Sequence, residues 1–509
     1  MKQNFSKLYT LVLFVIFSFT ISSCDDFLTQ LPTSEISEEA LPRDSTSATM
    51  LVNAVYNGLQ APITNEWAVS ELRSDNARIH AHTMVVIYTY VLELDIGNNS
   101  TINTFSEDYW NDTYKNIYRC NSALDFIHRL DSYQQKEMQI SELRTLRAYH
   151  YFNLIRNWGP VFLITEPITG SKARYEQRES LDRIYDFLES ELKDVIASNS
   201  LPVKHHVENL GRVNSLFAKS LLSKIYMTRY EPHTVDYAKA KTLLSEVIEG
   251  LGSPSGSSDL VPYDQVFSIN NEMNDEIIFA VRFKSGNIGL GSPLGNYFAP
   301  ANSGHNVIFG QGRSFNYPTQ SIIDAFEEGD LRKDVTLKER YYREETGVWV
   351  ENDGVQISRY VNKFLSPVTV RYDGENDFPV MRVGDVLLLY SEILNELGEF
   401  DESLRYLNMV RERAGLDSYE VSELMNTHNL RQAIRDERRV ELAFENHRWY
   451  DLLRWGIVED TMNTHFEQTD FYGRLPGAVN AKFYHWNTLL PLPLSVMIIN
   501  PELPQNYGY

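Results

Sequence analysis

Apolar residues recur every three to four positions over long stretches of this chain, and that spacing predicts helices. Residues 38–60 carry Met50, Val52, Val55 and Leu59 at helical intervals. Residues 109–130 and 134–157 read as a pair of long amphipathic helices. The second is closed by Trp158-Gly159-Pro160, which cannot continue a helix. Residues 181–197 predict another. Two helical hairpins follow, 213–230 with 235–250 and 383–397 with 401–413. Each has an aromatic near the end of its first helix, a short turn, and an Ala- or Leu-rich second helix. They resemble tetratricopeptide repeats, but no clean period runs through the chain, and plain helical hairpins carry the same pattern.

The periodicity lapses twice. Across 252–378 Gly, Ser, Pro and Asn become frequent, with short β-like runs at 277–283 and 347–350. A smaller loop region, 67–105, interrupts the first helical block. Long irregular excursions inside a helical protein are where binding surfaces tend to lie.

The first residues follow a different logic. Lys2 and Lys7 precede an uncharged apolar run over 8–20, too short for a permanent span and followed by small residues. Ile21-Ser22-Ser23-Cys24 has the form of a bacterial lipobox, so residues 1–23 read as a lipoprotein signal peptide and Cys24 as the lipidated residue. Residues 24–37 then form a polar tether. Lipidation of Cys24 leaves Cys120 alone, with no partner for a disulfide. No later stretch is long and apolar enough to span a bilayer, so the chain is expected to be anchored and not spanning.

Composition narrows the functions. The 509 residues are 43% apolar, 23% charged and 12% aromatic, which is ordinary for a globular protein. Sixty-nine acidic against 47 basic residues give a net charge of −22, and no nucleic-acid partner is expected for so negative a chain. Tyrosine is abundant, with 30 copies. Its flat apolar face and hydroxyl suit wet, amphipathic ligands as well as cores.

Several motifs invite chemistry. Glu437, Glu441 and Glu445 stack at i, i+4 within the charged run 435–448, and paired carboxylates are what glycoside hydrolysis needs. The interleaved Arg435, Arg438, Arg439 and Arg448 instead favour ionised carboxylates in a structural ion-pair network. Carboxylates on one helix face also cannot flank a bond from both sides. Trp110, Trp158, Trp449 and Trp455 read as packing residues, whereas Trp349 and Trp486 are left without a role. His80 and His82, and the adjacent His205 and His206, lack the spacing of a metal site. Residues 373–377 (DGEND) offer oxygen ligands but not a full calcium loop, and read as a solvated acidic turn. No phosphate loop, nucleophile elbow or dinucleotide fingerprint occurs, so no cofactor and no metal are expected.

The lipobox is followed by "DDFLTQLP" and then by "ELRSDN" at 71–76. Further along come "YWNDTYKNIYRCNSALDFI", "AFEEGDLRKDVT", "RVGDVLLLYSEILNELGEF" and "IRDERRVELAFENHRWYDLLRWG", with the tail "LPLPLSVMIINPELPQNYGY". In this order the motifs resemble those of the SusD/RagB outer-membrane nutrient-binding lipoproteins of Bacteroidetes, over essentially the whole chain. The resemblance implies a mostly α fold, a superhelical body of tetratricopeptide-like hairpins with a loop-rich ligand face. It divides the mature chain into an N-terminal half, 38–251, and a C-terminal half, 252–509, that includes the loop-rich region 252–378. It implies a non-enzymatic role in nutrient uptake, an oligosaccharide ligand, and a TonB-dependent, SusC-like outer-membrane transporter as partner. It also implies an outer-membrane location facing the cell exterior, and Asp25-Asp26 fit the surface-export signal of such lipoproteins.

Sugar rings stack their C–H faces on aromatic side chains, while their hydroxyls need planar donors and acceptors. The first loop region offers Trp67, Arg73, Asp75, Asn76, Tyr88, Tyr90, Asn98 and Asn99. The second offers Asn296, Tyr297, Phe298, Asn302, His305, Phe309, Arg313 and Phe315. Core packing competes with binding for each. Three rivals accompany the glycan reading: peptide capture by the same family, a tethered glycosidase, and a scaffold that uses its hairpins for partners.

Overall fold

A computed structural model describes residues 41–79, 86–168, 170–228, 235–301, 303–351, 358–424, 426–468 and 482–509. Cys24, its signal and tether, His80, His82 and Asn302 lie outside the described residues.

The protein is mostly helical. The first block consists of α1 (Ser45–Asn57), α2 (Gln60–Val69), α3 (Val86–Asp95), α4 (Thr104–His128), α5 (Lys136–Trp158) and α6 (Leu181–Ser198). Polar residues at the starts define several of these helices. Asp44 accepts from the Ser47 amide, Asn103 from that of Ser106, and Ser180 from that of Arg183. Each cap satisfies an amide that the first helical turn leaves without a partner. Gly159, at φ 70°, closes α5 in a conformation open to glycine.

Helix α6 buries Ile184, Leu188, Leu192 and Val195, the single stripe its spacing predicts. Helix α5 departs from the amphipathic expectation. From Gln139 onward it is buried on nearly every side, because α4 flanks it on one side and α6 on another. Its polar groups are paired internally: Arg147 with Glu191 at 2.6 Å, Glu142 with Arg212 at 2.6 Å, and Asn157 with the Tyr450 hydroxyl at 2.8 Å.

The two hairpins are α7 (Ser215–Thr228) with α8 (Tyr237–Gly250), and α9 (Val383–Glu396) with α10 (Phe400–Arg413). The helices stack in succession from α4 to α10, and α8 packs directly on α9. Everything between Gly250 and Val383 is therefore an excursion from one continuous stack. Helices α11 (Thr427–Glu441), α12 (Arg448–Arg454) and α13 (Val458–Gln468) follow.

The excursion carries most of the short strands. Four two-stranded antiparallel sheets occur among the described residues. Strand β1 (Ala77–Arg78) pairs with β3 (Tyr317–Pro318), and β2 (Ile277–Val281) with β8 (Phe378–Arg382). Strand β4 (Leu337–Lys338) pairs with β7 (Tyr360–Val361), and β5 (Tyr341–Arg343) with β6 (Val348–Val350). The predicted runs at 277–283 and 347–350 thus become β2 and β6. Among its described residues, the loop expected over 67–105 is helical in part, since α2 runs through Trp67 to Val69 and α3 occupies 86–95. Val69, Leu72, Ile79, Val91 and Leu94 face the core, whereas Ile102 is exposed.

Candidate ligand-binding site

The excursion meets the first helical block over a group of aromatic rings. Trp67 on α2 stacks on Phe315 with centroids 5.0 Å apart, and Phe105 and Phe298 approach it edge-on at 5.5 and 6.0 Å. These four rings are buried. Above them lie half-buried rings. Tyr88 and Tyr297 contact Phe315 at 5.7 and 5.6 Å, and Tyr372 contacts Tyr297 at 5.7 Å. The Tyr88 hydroxyl donates to the Arg313 carbonyl at 3.1 Å, and Arg313 Nε donates to the Tyr372 hydroxyl at 2.8 Å. The result is a tyrosine platform with apolar support below and a guanidinium at its edge. Phe309, 48% exposed and 5.2 Å from His305, stands on the next turn of the same loop.

Asn296 fixes this arrangement from beneath. Its amide nitrogen donates to the carbonyls of Phe309 at 2.9 Å and Gln311 at 3.1 Å, and its oxygen accepts from the Tyr372 amide at 2.8 Å. Gly312 passes so close to Ala299 that a Cβ would lie 2.0 Å from its carbonyl oxygen. Gln311, Ser314, Asn316 and Tyr372 all have positive φ, between 55° and 73°. Such conformations persist where the surroundings over-determine them, and they concentrate at ligand clamps. The acidic turn after Tyr372 adds a further constraint. Asp373 accepts from the amides of Gly286 and Asn287 at 2.8 and 2.7 Å, and Glu375 pairs with Lys284. The turn expected to be solvated is thus bound to 282–287.

The structure reassigns several expected ligand contacts. Trp67 is 1% exposed and, like Phe298, belongs to the apolar support. Arg73 is buried and donates to the carbonyls of Asn487 at 2.8 Å and Thr488 at 3.1 Å, with its guanidinium 4.1 Å from the Trp449 ring centre. Asp75 is held by Arg448 at 2.8 Å and Arg439 at 2.9 Å. Burial opposes its ionisation, but the two guanidiniums outweigh it and hold the carboxyl well below the usual range. Asn76 donates to Glu71 at 2.9 Å and accepts from Arg439 at 2.8 Å. Asn296 is the buried anchor just described. Trp67, Phe298 and Asn296 thus support the ring cluster from beneath, while Arg73, Asp75 and Asn76 are buried in contacts elsewhere.

Tyr88, Tyr297 and Phe309 remain on the accessible side. Tyr90 packs half-buried against the helical core, and Asn98 is exposed in the turn after α3. Neither is joined to the platform by a contact among the described residues. Tyr372, with the Arg371 guanidinium 4.6 Å from its ring centre, is an addition to the residues expected from the sequence. The one local signal there is an aromatic residue directly before an Asp-Gly turn.

The carboxylates of the 435–448 run occupy a separate, buried network. Arg382 pairs with Glu445 at 2.7 Å and with Glu441 at 2.5 Å, and Arg332 pairs with Glu437 at 2.6 Å. Arg411, Arg413 and Lys363 complete it. The expected ion-pair network is present, but these partners come from elsewhere in the chain and not from the arginines interleaved on the helix. Burial opposes ionisation of Glu441, yet Arg413 and Arg382 hold it well below the normal range.

A sequence profile described as the SusD family matches residues 331–509, and one described as "Starch-binding associating with outer membrane" matches residues 26–227. SusD-like protein P25 of Formosa agariphila is 26% identical over 99% of this chain and 100% of its own length. A SusD-like protein of Bacteroides ovatus is 25% identical over 70% of this chain and 67% of its own. A solved laminarin binding SusD-like protein superposes with TM-score 0.73 at 24% identity, covering 92% of this chain and 100% of that one. Surface glycan-binding protein A from Bacteroides thetaiotaomicron, in complex with laminarihexaose, gives 0.73 at 18% identity over 91% and 99%. At these identities the structural matches establish a shared fold.

Proposed function

Because this chain belongs to the SusD family, a group associated with the outer membrane, we propose that it captures an oligosaccharide and delivers it to a TonB-dependent transporter. The observation that carries this reading is the tyrosine platform. Tyr88 on α3 and Tyr297 and Tyr372 in the excursion are half-buried and meet through ring contacts, and the exposed Phe309 lies on the same stretch of the excursion. Arg313 and the tyrosine hydroxyls supply polar partners for sugar hydroxyls. Lipidation of Cys24 would hold the acidic body beside the outer membrane, on its external face.

The protein is read as a binding module and not an enzyme. Relatives with this fold are described as binding proteins, and the conspicuous carboxylates are buried among arginines. Isothermal titration against oligosaccharides of defined linkage, with peptides in parallel, tests the proposal. Saturable binding of at least one glycan is expected. Binding of peptides alone would transfer the reading to peptide capture, and release of shortened products by the purified protein would reject the non-enzymatic reading.

A further inference from the structure

A second set of exposed aromatics lies on the β5–β6 hairpin. Side chains alternate across its two faces. Tyr341 and Val350 point inward and form a small core with Tyr360, against Val307 and Leu365. Tyr342 and Trp349 pair directly across the strands and point outward. They are 44% and 53% exposed, and their ring centroids are 5.5 Å apart at 61°. The Arg340 guanidinium lies 4.7 Å from the Trp349 ring centre. Together the two rings form an exposed aromatic patch whose edge the Arg340 guanidinium borders.

These rings line a groove of about 860 Å³, a size that accommodates a small ligand. Among the described residues its lining has four basic and four acidic side chains. Six of them form ion pairs: Lys333 with Glu339 at 3.0 Å, Lys338 with Asp334 at 3.3 Å, and Arg340 with Glu351 at 2.9 Å. On a chain of net charge −22 this groove is locally balanced. It offers many donors and acceptors without a net field, which matches a hydroxyl-rich neutral ligand better than a sulfated or carboxylated one. Asn306, three residues before Phe309, lines the near end of this groove. Asn306 accepts from the Glu344 amide at 2.9 Å and donates to Glu345 at 3.1 Å, and the same loop carries His305 and Phe309.

We infer that the β5–β6 hairpin is a second carbohydrate station, with Trp349 and Tyr342 as its stacking surface, for uncharged glycan chains that extend past Asn306 from the tyrosine platform. This rests on the glycan reading of the platform. It makes affinity depend on chain length, since a short oligosaccharide occupies the platform alone.

The test compares native protein, Trp349→Ala and Tyr297→Ala. Retention is measured in native gels containing laminarin, soluble starch or xylan, and affinity by titration with the corresponding hexasaccharides. Trp349→Ala is expected to weaken retention by the retaining polysaccharide about tenfold while leaving hexasaccharide affinity unchanged, and Trp349→Phe to restore most of it. Tyr297→Ala is expected to weaken both. Retention should not change between about 0.05 and 0.5 M salt, because no net charge is being screened. Native-like retention of Trp349→Ala beside impaired Tyr297→Ala would overturn the second station and leave the platform standing. Steep loss of retention with salt would overturn the assignment to neutral glycans. Failure of the native protein to bind any of the glycans would overturn platform and station together.

Discussion

Glu66 and Tyr297 show how differently two side chains of one small region are used. Glu66, on α2 one residue before Trp67, is buried, and burial pushes its carboxyl from 4.5 up to about 7 against the opposing effect of Arg156. Between those values the native state holds a proton that the unfolded chain has released, so stability falls as pH rises through that window. The full effect is about 3 kcal/mol. Glu66→Gln should flatten the slope between pH 4.5 and 7, measured by urea denaturation at stepped pH. Asp451 behaves oppositely. Burial is outweighed by Arg438 and Arg454, which lower its carboxyl from 3.8 to about 2. Its contribution is present above pH 4 and is lost as pH falls towards 2. Tyr297 belongs to the proposed ligand surface, and its test is binding. Tyr297→Ala or Tyr372→Ala should weaken a bound oligosaccharide about tenfold, or about 1.4 kcal/mol, in a titration, with little change in fold.

Elements set the precision of the site. The loop 309–316 has no regular hydrogen-bond ladder, and it is held by Asn296 and by contacts with 297–301. The Phe315 amide donates to the Tyr297 carbonyl at 2.8 Å, and the Ser314 amide donates to that of Ala299 at 2.9 Å. Asn296→Ala would leave two carbonyls and one amide without their partner. It is expected to cost about 2 kcal/mol and to loosen the ligand surface, so that melting temperature and affinity fall together. That combined loss separates it from Tyr297→Ala, which should lower affinity alone. The β5–β6 hairpin is a more autonomous element because its inward face has its own small core. Trp349→Ala should therefore leave the melting temperature close to that of the native protein.

Across the whole molecule, the buried ion network joins the end of the helical stack to the excursion. Arg382 closes β8 and reaches Glu276 before β2, Glu441 on α11 and Glu445 beyond it. Removing one member of such a network leaves several buried charges without their partner. Arg382→Met is expected to destabilise the protein by about 3–5 kcal/mol in chemical denaturation. The "ELRSDN" segment works at the same scale. Arg73 joins it to the C-terminal tail, Asp75 to α11 and α12, and the Asn76 carbonyl to Thr319 in the excursion. One of the motifs that carry the family resemblance is thereby a junction of three regions, which explains why its residues are spent on structure.

Most of the long helices, the two hairpins, the two β runs and the family were legible in the sequence, though α3 was not, because periodicity, caps and contiguous motifs are properties of neighbouring residues. Which aromatics meet a ligand surface was not. Trp67 and Tyr297 both stand in short stretches of mixed polarity along the chain, but only Trp67 is covered when α4 and residue 315 close over it. The partners of Asp75 were equally hidden, since Arg448 lies 373 positions away. Tyr372 and the paired rings of Tyr342 and Trp349 became visible only once the excursion was folded. Burial and charge pairing are decided by residues distant in sequence, so tertiary structure alone separates the residues that build this platform from those that present it.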